Sequence, residues 1–204
     1  MRLVPLSAMI LLAALPAARS ATLLNGDLEG GLSSWTTFGS PGAVTAMAFA
    51  AQSGTLGLWL PTYHSSHAAG MFQDVTVAPE EVLLFSGSFS RETNAILALL
   101  EMKIEYFTSG NSFISSNVAD HATAMNAASV GAWTLFSVGG TAPAGTAYAR
   151  VVAYYDANTP ANGENGSAAS VFADNFSLTP EPGRAVLLAA GLGSIVLRRR
   201  RSLC

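Results

Sequence analysis

The sequence predicts an all-β protein built as a sandwich, and three observations predict it. Residues 96–107 alternate with a period of two. Ile96, Ala98, Leu100, Met102, Ile104 and Tyr106 point one way, while Leu97, Leu99, Glu101, Lys103, Glu105 and Phe107 point the other, the pattern of a strand with one buried face. Short apolar runs recur along the chain between turn signals such as Gly30-Gly31, Ser40-Pro41-Gly42, Ala78-Pro79, Ser109-Gly110-Asn111, Gly139-Gly140, Pro143-Ala144-Gly145 and Asn162-Gly163, where Gly supplies positive φ and Pro cannot continue a ladder. Between the two ends of the chain only residues 120–129, rich in Ala, offer a turn or two of helix. Many short strands with this punctuation and no long helix make a sandwich.

In chain order the expected strands are residues 22–25, 43–50, 55–60, 71–77, 83–89, 96–107, 133–138, 148–155 and 171–178. In 83–89 one side carries Leu83, Phe85, Gly87 and Phe89. In 148–155 Tyr148, Arg150, Val152 and Tyr154 oppose Ala149, Val151, Ala153 and Tyr155. A helix is the competing reading of 96–107, because Ala, Leu, Glu, Met and Lys all favour one. It would, however, scatter Glu101, Lys103 and Glu105 around its circumference, whereas a strand gathers them on one face.

The two ends read as routing segments. Arg2 gives a short positive region, residues 3–15 are apolar apart from Pro5 and Ser7, and Ala18-Arg19-Ser20 offers the small residues of a cleavage site, so residues 1–20 are expected to be a secretory signal peptide, with the mature chain starting at Ala21. At the other end, Pro180-Glu181-Pro182 precedes an uncharged stretch over residues 185–197 and then Arg198, Arg199, Arg200 and Arg201. As a helix that stretch spans about 20 Å against roughly 30 Å of bilayer hydrocarbon, a short membrane anchor. The arginines would hold its end in the cytoplasm. The expected domains are therefore 1–20, a sandwich over 21–178, and a sorting tail over 179–204. The fold expectation is a β-sandwich flanked by an N-terminal signal helix and a C-terminal hydrophobic helix.

Removing the ends changes the charge. Residues 21–179 keep three basic residues, Arg91, Lys103 and Arg150, against twelve acidic ones, 3 − 12 = −9, where the whole chain carries −3. Such an excess disfavours nucleic acid and anionic lipid as partners. It suits neutral sugars or divalent cations. The single cysteine, Cys204, lies beyond the arginines, so no disulfide is available to the exported domain.

The tail resembles the PEP-CTERM sorting signal of Gram-negative bacteria, in which a Pro-Glu-Pro triplet, a hydrophobic helix and terminal arginines occur in this order. The resemblance implies that an exosortase, together with signal peptidase at the other end, processes the chain on its way to the cell surface or the extracellular polysaccharide matrix. An ordinary tail anchor is the alternative, and it leaves Pro180, Glu181 and Pro182 unexplained.

A second resemblance spans most of residues 21–179. The opening Leu24-Asn25-Gly26-Asp27-Leu28-Glu29-Gly30-Gly31-Leu32-Ser33-Ser34-Trp35 is similar to the start of carbohydrate-binding modules with the galactose-binding-like jelly roll, and Val171-Phe172-Ala173-Asp174-Asn175-Phe176-Ser177-Leu178 is similar to their final strand. Residues 71–89 and 133–151 resemble two intervening segments, although Glu80-Glu81 stands where a glycine is usual. The resemblance implies a jelly-roll β-sandwich and two sites. One is a structural Ca2+ where the first and last strands meet, with Asp27, Glu29 and Asp174 as oxygen donors; the alternative is that the two aspartates cap turns and Glu29 faces solvent. The other is a sugar platform. Trp35 and Trp133 are expected in the core. Trp59, Tyr63 and His64, next to the strand-breaking Pro61, and Tyr154, Tyr155 and Asp156, next to the following loop, are the candidates for stacking on and hydrogen-bonding to a sugar. The alternative for each is that it fills the sandwich.

Catalytic patterns are weak. His64 and His67 lack a third metal ligand nearby, Asp120-His121 is mere adjacency, Glu80-Glu81 reads as a solvated turn, and neither a nucleophile elbow nor a phosphate-binding loop occurs. The expected function is a non-enzymatic, exported surface or matrix protein that binds polysaccharide. The alternatives are an adhesive matrix protein with no sugar site and an accessory hydrolase.

Overall fold

Residues 99–107 bury every second side chain, and the same alternation, less strict, over residues 68–76, 82–91, 134–141, 148–156 and 170–180 fixes which residues face the interior. The computed structural model describes residues 21–40, 42–62, 67–92, 95–157 and 170–180. Its strands are β1 (Thr36–Gly39), β2 (Thr45–Met47), β3 (Gly57–Pro61), β4 (Ala68–Thr76), β5 (Val82–Arg91), β6 (Leu99–Phe107), β7 (Phe113–Asp120), β8 (Thr134–Thr141), β9 (Tyr148–Asp156) and β10 (Ser170–Pro180), with one short helix, α1 (Ala122–Ala127). They form two five-stranded antiparallel sheets, a front sheet in the order β1-β4-β9-β6-β7 and a back sheet in the order β2-β3-β10-β5-β8. This is the expected all-β sandwich.

The core lies between the sheets. Leu100, Met102, Ile104 and Tyr106 of β6 and Val151 and Tyr155 of β9 meet Leu83, Phe85 and Phe89 of β5 and Phe176 of β10, all of them nearly or fully buried. Phe176 stands at the centre of an aromatic group, 5.5 Å from Trp35, 6.0 Å from Phe85 and 5.8 Å from Phe89. Burying this surface is the main source of stability in a domain with no disulfide.

The two ends of the domain are stitched by polar contacts. Asn25 adopts a left-handed conformation, φ 50°, and its side-chain amide donates to the carbonyls of Gly31 and Ser33 while its Oδ1 accepts from the Gly30 amide. The Trp35 indole N–H donates to the Asn25 carbonyl at 3.0 Å. The Phe176 amide donates to the Gly26 carbonyl at 2.7 Å. A Cβ on residue 26 would lie 2.1 Å from the Phe176 carbonyl oxygen, so only glycine allows this approach.

Several expectations need correction. Residues 22–25 form bends, not a strand, because Asn25 spends its side chain on local carbonyls. Residues 43–50 divide into β2 and a 3-10 turn over Ala48–Ala50. β1 and β7 were not expected: both are edge strands, and β7 (FISSNVAD) mixes polar and apolar residues without a clean period. The helix expected in 120–129 is α1. Trp35 is in the core, whereas Trp133 is half-buried. The signal segment, Tyr63, His64, the loop over 158–169 and the tail beyond Pro180 lie outside the described residues. Among the described residues no helix is long and apolar enough to cross a membrane.

Candidate functional site

β9 sits in the middle of the front sheet, so its outward residues Tyr148, Arg150, Val152, Tyr154 and Asp156 occupy the centre of that sheet's outer face. Cross-strand register brings aromatic residues to them. Gly70 of β4 lies opposite Tyr154 of β9 on one side and Phe38 of β1 on the other. With no side chain at Gly70, the Phe38 and Tyr154 rings meet over it, 6.1 Å apart and 4° from parallel. A Cβ there would come within 2.7 Å of Phe38 Cζ. The glycine is thus the floor of an aromatic platform.

The platform continues along the strands. Phe72 lies 6.2 Å from Phe38, and the Arg150 guanidinium lies 4.0 Å from the Phe72 centroid and 5.3 Å from that of Phe107. Asp74 holds Arg150 with two parallel hydrogen bonds, 2.7 Å from Nε and 3.0 Å from Nη2. The bond from Asp74 raises the Arg150 pKa further above its usual range. Phe107 stacks on Tyr148 at 5.0 Å and 6°, and Phe113 meets Phe107 edge-on at 5.8 Å. From Tyr154 to Tyr148 the row of rings covers roughly 20 Å of strand. Beside Phe38, a hollow of about 110 Å3 is lined by Thr37, Gly39, Ser40, Gly42 and Val44.

The charges on this face are mostly carboxylates. Its outward strand residues include Asp74, Glu101, Glu105, Asp120 and Asp156, against Lys103 and Arg150. Lys103 is ion-paired with Glu101 at 2.6 Å and lies 5.4 Å from the Tyr154 ring. Burial, and then the charges of Asp156 and Glu101, push the Tyr154 phenol above its usual pKa, so it stays a neutral donor at any physiological pH. Flat rings flanked by phenols, carboxylates and a fixed guanidinium can cover the C–H face of a sugar and hydrogen-bond its hydroxyls.

Of the residues expected in a sugar site, Tyr154 and Asp156 lie on this face. Tyr155 requires correction: it is 1% exposed, and its hydroxyl donates into the interior, to the carbonyls of Ala43 and Pro61. Trp59 is on the other side of the molecule, on the outer face of the back sheet, with its indole N–H donating to Ser170 Oγ at 2.7 Å. Trp59 and Tyr154 therefore do not share a site. Phe38, Phe72, Phe107, Tyr148 and Arg150 were not among the sequence candidates. A signal for them existed: the outward stripes of β6 and β9, set side by side, place Phe107 against Tyr148.

The carboxylates nominated for Ca2+ have other partners. Asp174, fully buried, accepts at Oδ2 from the amides of Gln52 and Ser53 and at Oδ1 from that of Asn175. Glu29 accepts at Oε1 from the amides of Thr55 and Leu56, and the Thr55 hydroxyl donates to Oε2. Those bonds lower the Glu29 pKa, the Thr55 hydroxyl most. Amide hydrogens thus take up part of the accepting capacity of both carboxylates. Asp27 is exposed, and among the described residues no three His, Cys, Asp or Glu side chains gather as metal ligands. Among the described residues the three expected donors therefore do not gather around one point. The loop over residues 52–56 is instead pinned by two carboxylates.

Asp120 and His121 form no catalytic pair. Asp120 Oδ1 accepts from the amides of Leu100 and Ala122, while the His121 ring stacks on Phe136 at 4.6 Å with Nε2 buried. Burial holds the His121 pKa below its usual value.

The same architecture occurs in solved structures. A family 16 carbohydrate-binding module aligns with a TM-score of 0.55 and 23% identity, over 76% of this chain and 97% of its own. TmCBM61 in complex with β-1,4-galactotriose aligns with a TM-score of 0.52 and 16% identity, over 79% of this chain and 99% of its own. The enzymatically active domain of bacteriophage CBA120 tailspike protein 4 gives 0.56 and 13%, but only 21% of that chain takes part. These likenesses establish the jelly-roll fold. No family model and no curated protein matches the sequence.

Two measurements test the pinned loop. Because the folded-state pKa of Glu29 lies below its ordinary value of 4.5, its contribution to stability is present above that pH and is lost as pH falls through the folded pKa. The stability of the wild type is expected to fall more steeply below about pH 4.5 than that of Glu29→Gln, whereas equal slopes would show that the carboxylate does nothing. Thermal unfolding is expected at the same midpoint with and without EDTA; a midpoint lowered by the chelator would reinstate a structural cation.

Proposed function

We propose that this chain is an exported, non-catalytic module whose front-sheet outer face binds an uncharged polysaccharide. The observation that carries this reading is the pair of stacked rings, Phe38 and Tyr154, laid across Gly70 at the end of a row of aromatic residues flanked by carboxylates. Rings fixed in this way lose little conformational freedom when a sugar stacks on them. The excess of carboxylates, with both cations already paired, favours neutral chains over uronate-bearing ones. The fold shared with carbohydrate-binding modules is compatible with this use, as is the high share of those modules' own length that aligns.

Delivery rests on the ends of the sequence. Residues 1–20 would direct export and be removed by signal peptidase. Pro180, Glu181, Pro182 and the arginines 198–201 would hand the protein to an exosortase at the inner membrane of a Gram-negative cell, leaving residues 21–179 on the surface or in the matrix.

Phe38→Ala and Tyr154→Ala are each expected to weaken retention on an insoluble neutral polysaccharide about ten-fold, a loss near 1.4 kcal/mol, with an unchanged unfolding midpoint. If both variants bind like the wild type, the front face is not the site. Intact mass of the surface-fractionated protein is expected to match a chain starting at Ala21 and lacking Arg198 to Arg201. Recovery of a form that keeps those arginines would remove the sorting step.

A further inference from the structure

We propose that the outer face of the back sheet is a second glycan-binding surface, so that one module holds two polysaccharide chains on opposite sides and cross-links them. This rests on the front-face reading only for the other half of the bridge. Phe49, on the 3-10 turn after β2, is 64% exposed, more than any other described aromatic residue. It stands edge-on to two neighbours on the sheet, Trp59 at 5.8 Å and 73° and Phe172 at 6.0 Å and 74°. Trp59 and Phe172 are cross-strand partners in β3 and β10, and the Trp59 indole N–H donates to Ser170, two residues before Phe172 on β10. The ring is therefore held in water by two half-buried aromatics, although the core gains little from it. Fixed, solvated rings of this kind cost little entropy to cover.

The surroundings decide what would cover it. Next to Phe49 the chain presents the side-chain amides of Gln52 and Asn175, which bond to each other, and the Ser53 hydroxyl, which also reaches Asn175. Farther along the face come the hydroxyls of Ser86, Ser137, Ser177 and Thr179. Among the outward strand residues of the back sheet the only ionisable side chain is Asp174, which is fully buried and already hydrogen-bonded. In a domain of net charge −9, the strands of this face present hydroxyls, aromatic rings and the aliphatic side chains of Leu84 and Leu135, and the exposed carboxylate beside them, that of Glu29 bonded to the loop over residues 52–56, repels anions. The face complements a neutral, hydroxyl-rich chain.

The two faces can be separated in one experiment, which mixes the mature module with a soluble neutral polysaccharide, reads turbidity and viscosity, and measures retention on the insoluble polymer. The wild type is expected to raise viscosity at substoichiometric ratios. Phe49→Ala, a change at an exposed ring, should keep the wild-type unfolding midpoint and retention within about two-fold, since the front face still binds, yet lose the viscosity increase. Phe38→Ala should lose cross-linking and bind the polymer about ten-fold more weakly, the remaining retention being carried by the back face. Undiminished cross-linking by Phe49→Ala overturns the proposal, as does concentration-dependent dimerisation of the free module in sedimentation that accounts for the viscosity. If Phe38→Ala instead retains the polymer while Phe49→Ala does not, the front-face reading fails and the back-face site stands. Phe49→Glu, which puts a charge on the neutral face, should act like Phe49→Ala, and wild-type cross-linking by it would also count against the second site.

Discussion

Asp174 is a carboxylate taken wholly out of water, and three backbone amides, those of Gln52, Ser53 and Asn175, supply what the water supplied. A buried charge is tolerable only when it is fully hydrogen-bonded, so β10 is committed to holding the loop over residues 52–56 against it. Glu29 grips the same loop from the opening segment, through Thr55 and Leu56. Two residues beyond Asp174, Phe176 bonds to Gly26 and fills the space under Trp35. First segment, intervening loop and last strand are thereby fixed to one another by hydrogen bonds to backbone amides. The loop is continuous with the 3-10 turn that carries Phe49, so the position of that ring on the back face follows from the same anchor.

Much of this was legible in the sequence, and the exceptions have physical causes. The alternation in residues 96–107 gave β6 its faces because a strand with one buried side must repeat every two residues; Leu100, Met102, Ile104 and Tyr106 are indeed the buried set. The Asn25-Gly26 opening and the Asp174-Asn175 close do meet in space. What the residues could not reveal was the partner of each carboxylate, since an amide donor and a cation satisfy the same oxygen. β1 and β7 escaped notice because edge strands bury little and so carry no strong apolar period.

The site was half visible for a related reason. Tyr148, Arg150, Val152 and Tyr154 share one side of β9 by simple parity, but a platform is a property of several strands at once. Only the register places Gly70 between Phe38 and Tyr154, and only the register sets Phe107 against Tyr148. Proximity in sequence misled in the same way. Tyr154 and Tyr155 are neighbours in the chain and point to opposite sides of the sheet, one into solvent and one into the core. Trp59 and Tyr154, both aromatic residues close to loops, ended on opposite sheets.

Charge then separates the two outer faces. The front sheet gathers carboxylates around its rings and neutralises its two cations internally, Lys103 with Glu101 and Arg150 with Asp74. Exposed pairs of this sort add little stability, at most about 1 kcal/mol each, but they fix the direction of long side chains. Arg150 is held between Phe72 and Phe107 by Asp74 and serves as part of the platform; it is not a free cation for an anionic ligand. The back sheet achieves neutrality differently, by burying its one carboxylate under a loop and lining the rest with hydroxyls, aromatic rings and aliphatic side chains such as Leu135. Neither arrangement offers a free cation to a polyanion. The proposed binding of uncharged chains rests on this distribution of charge.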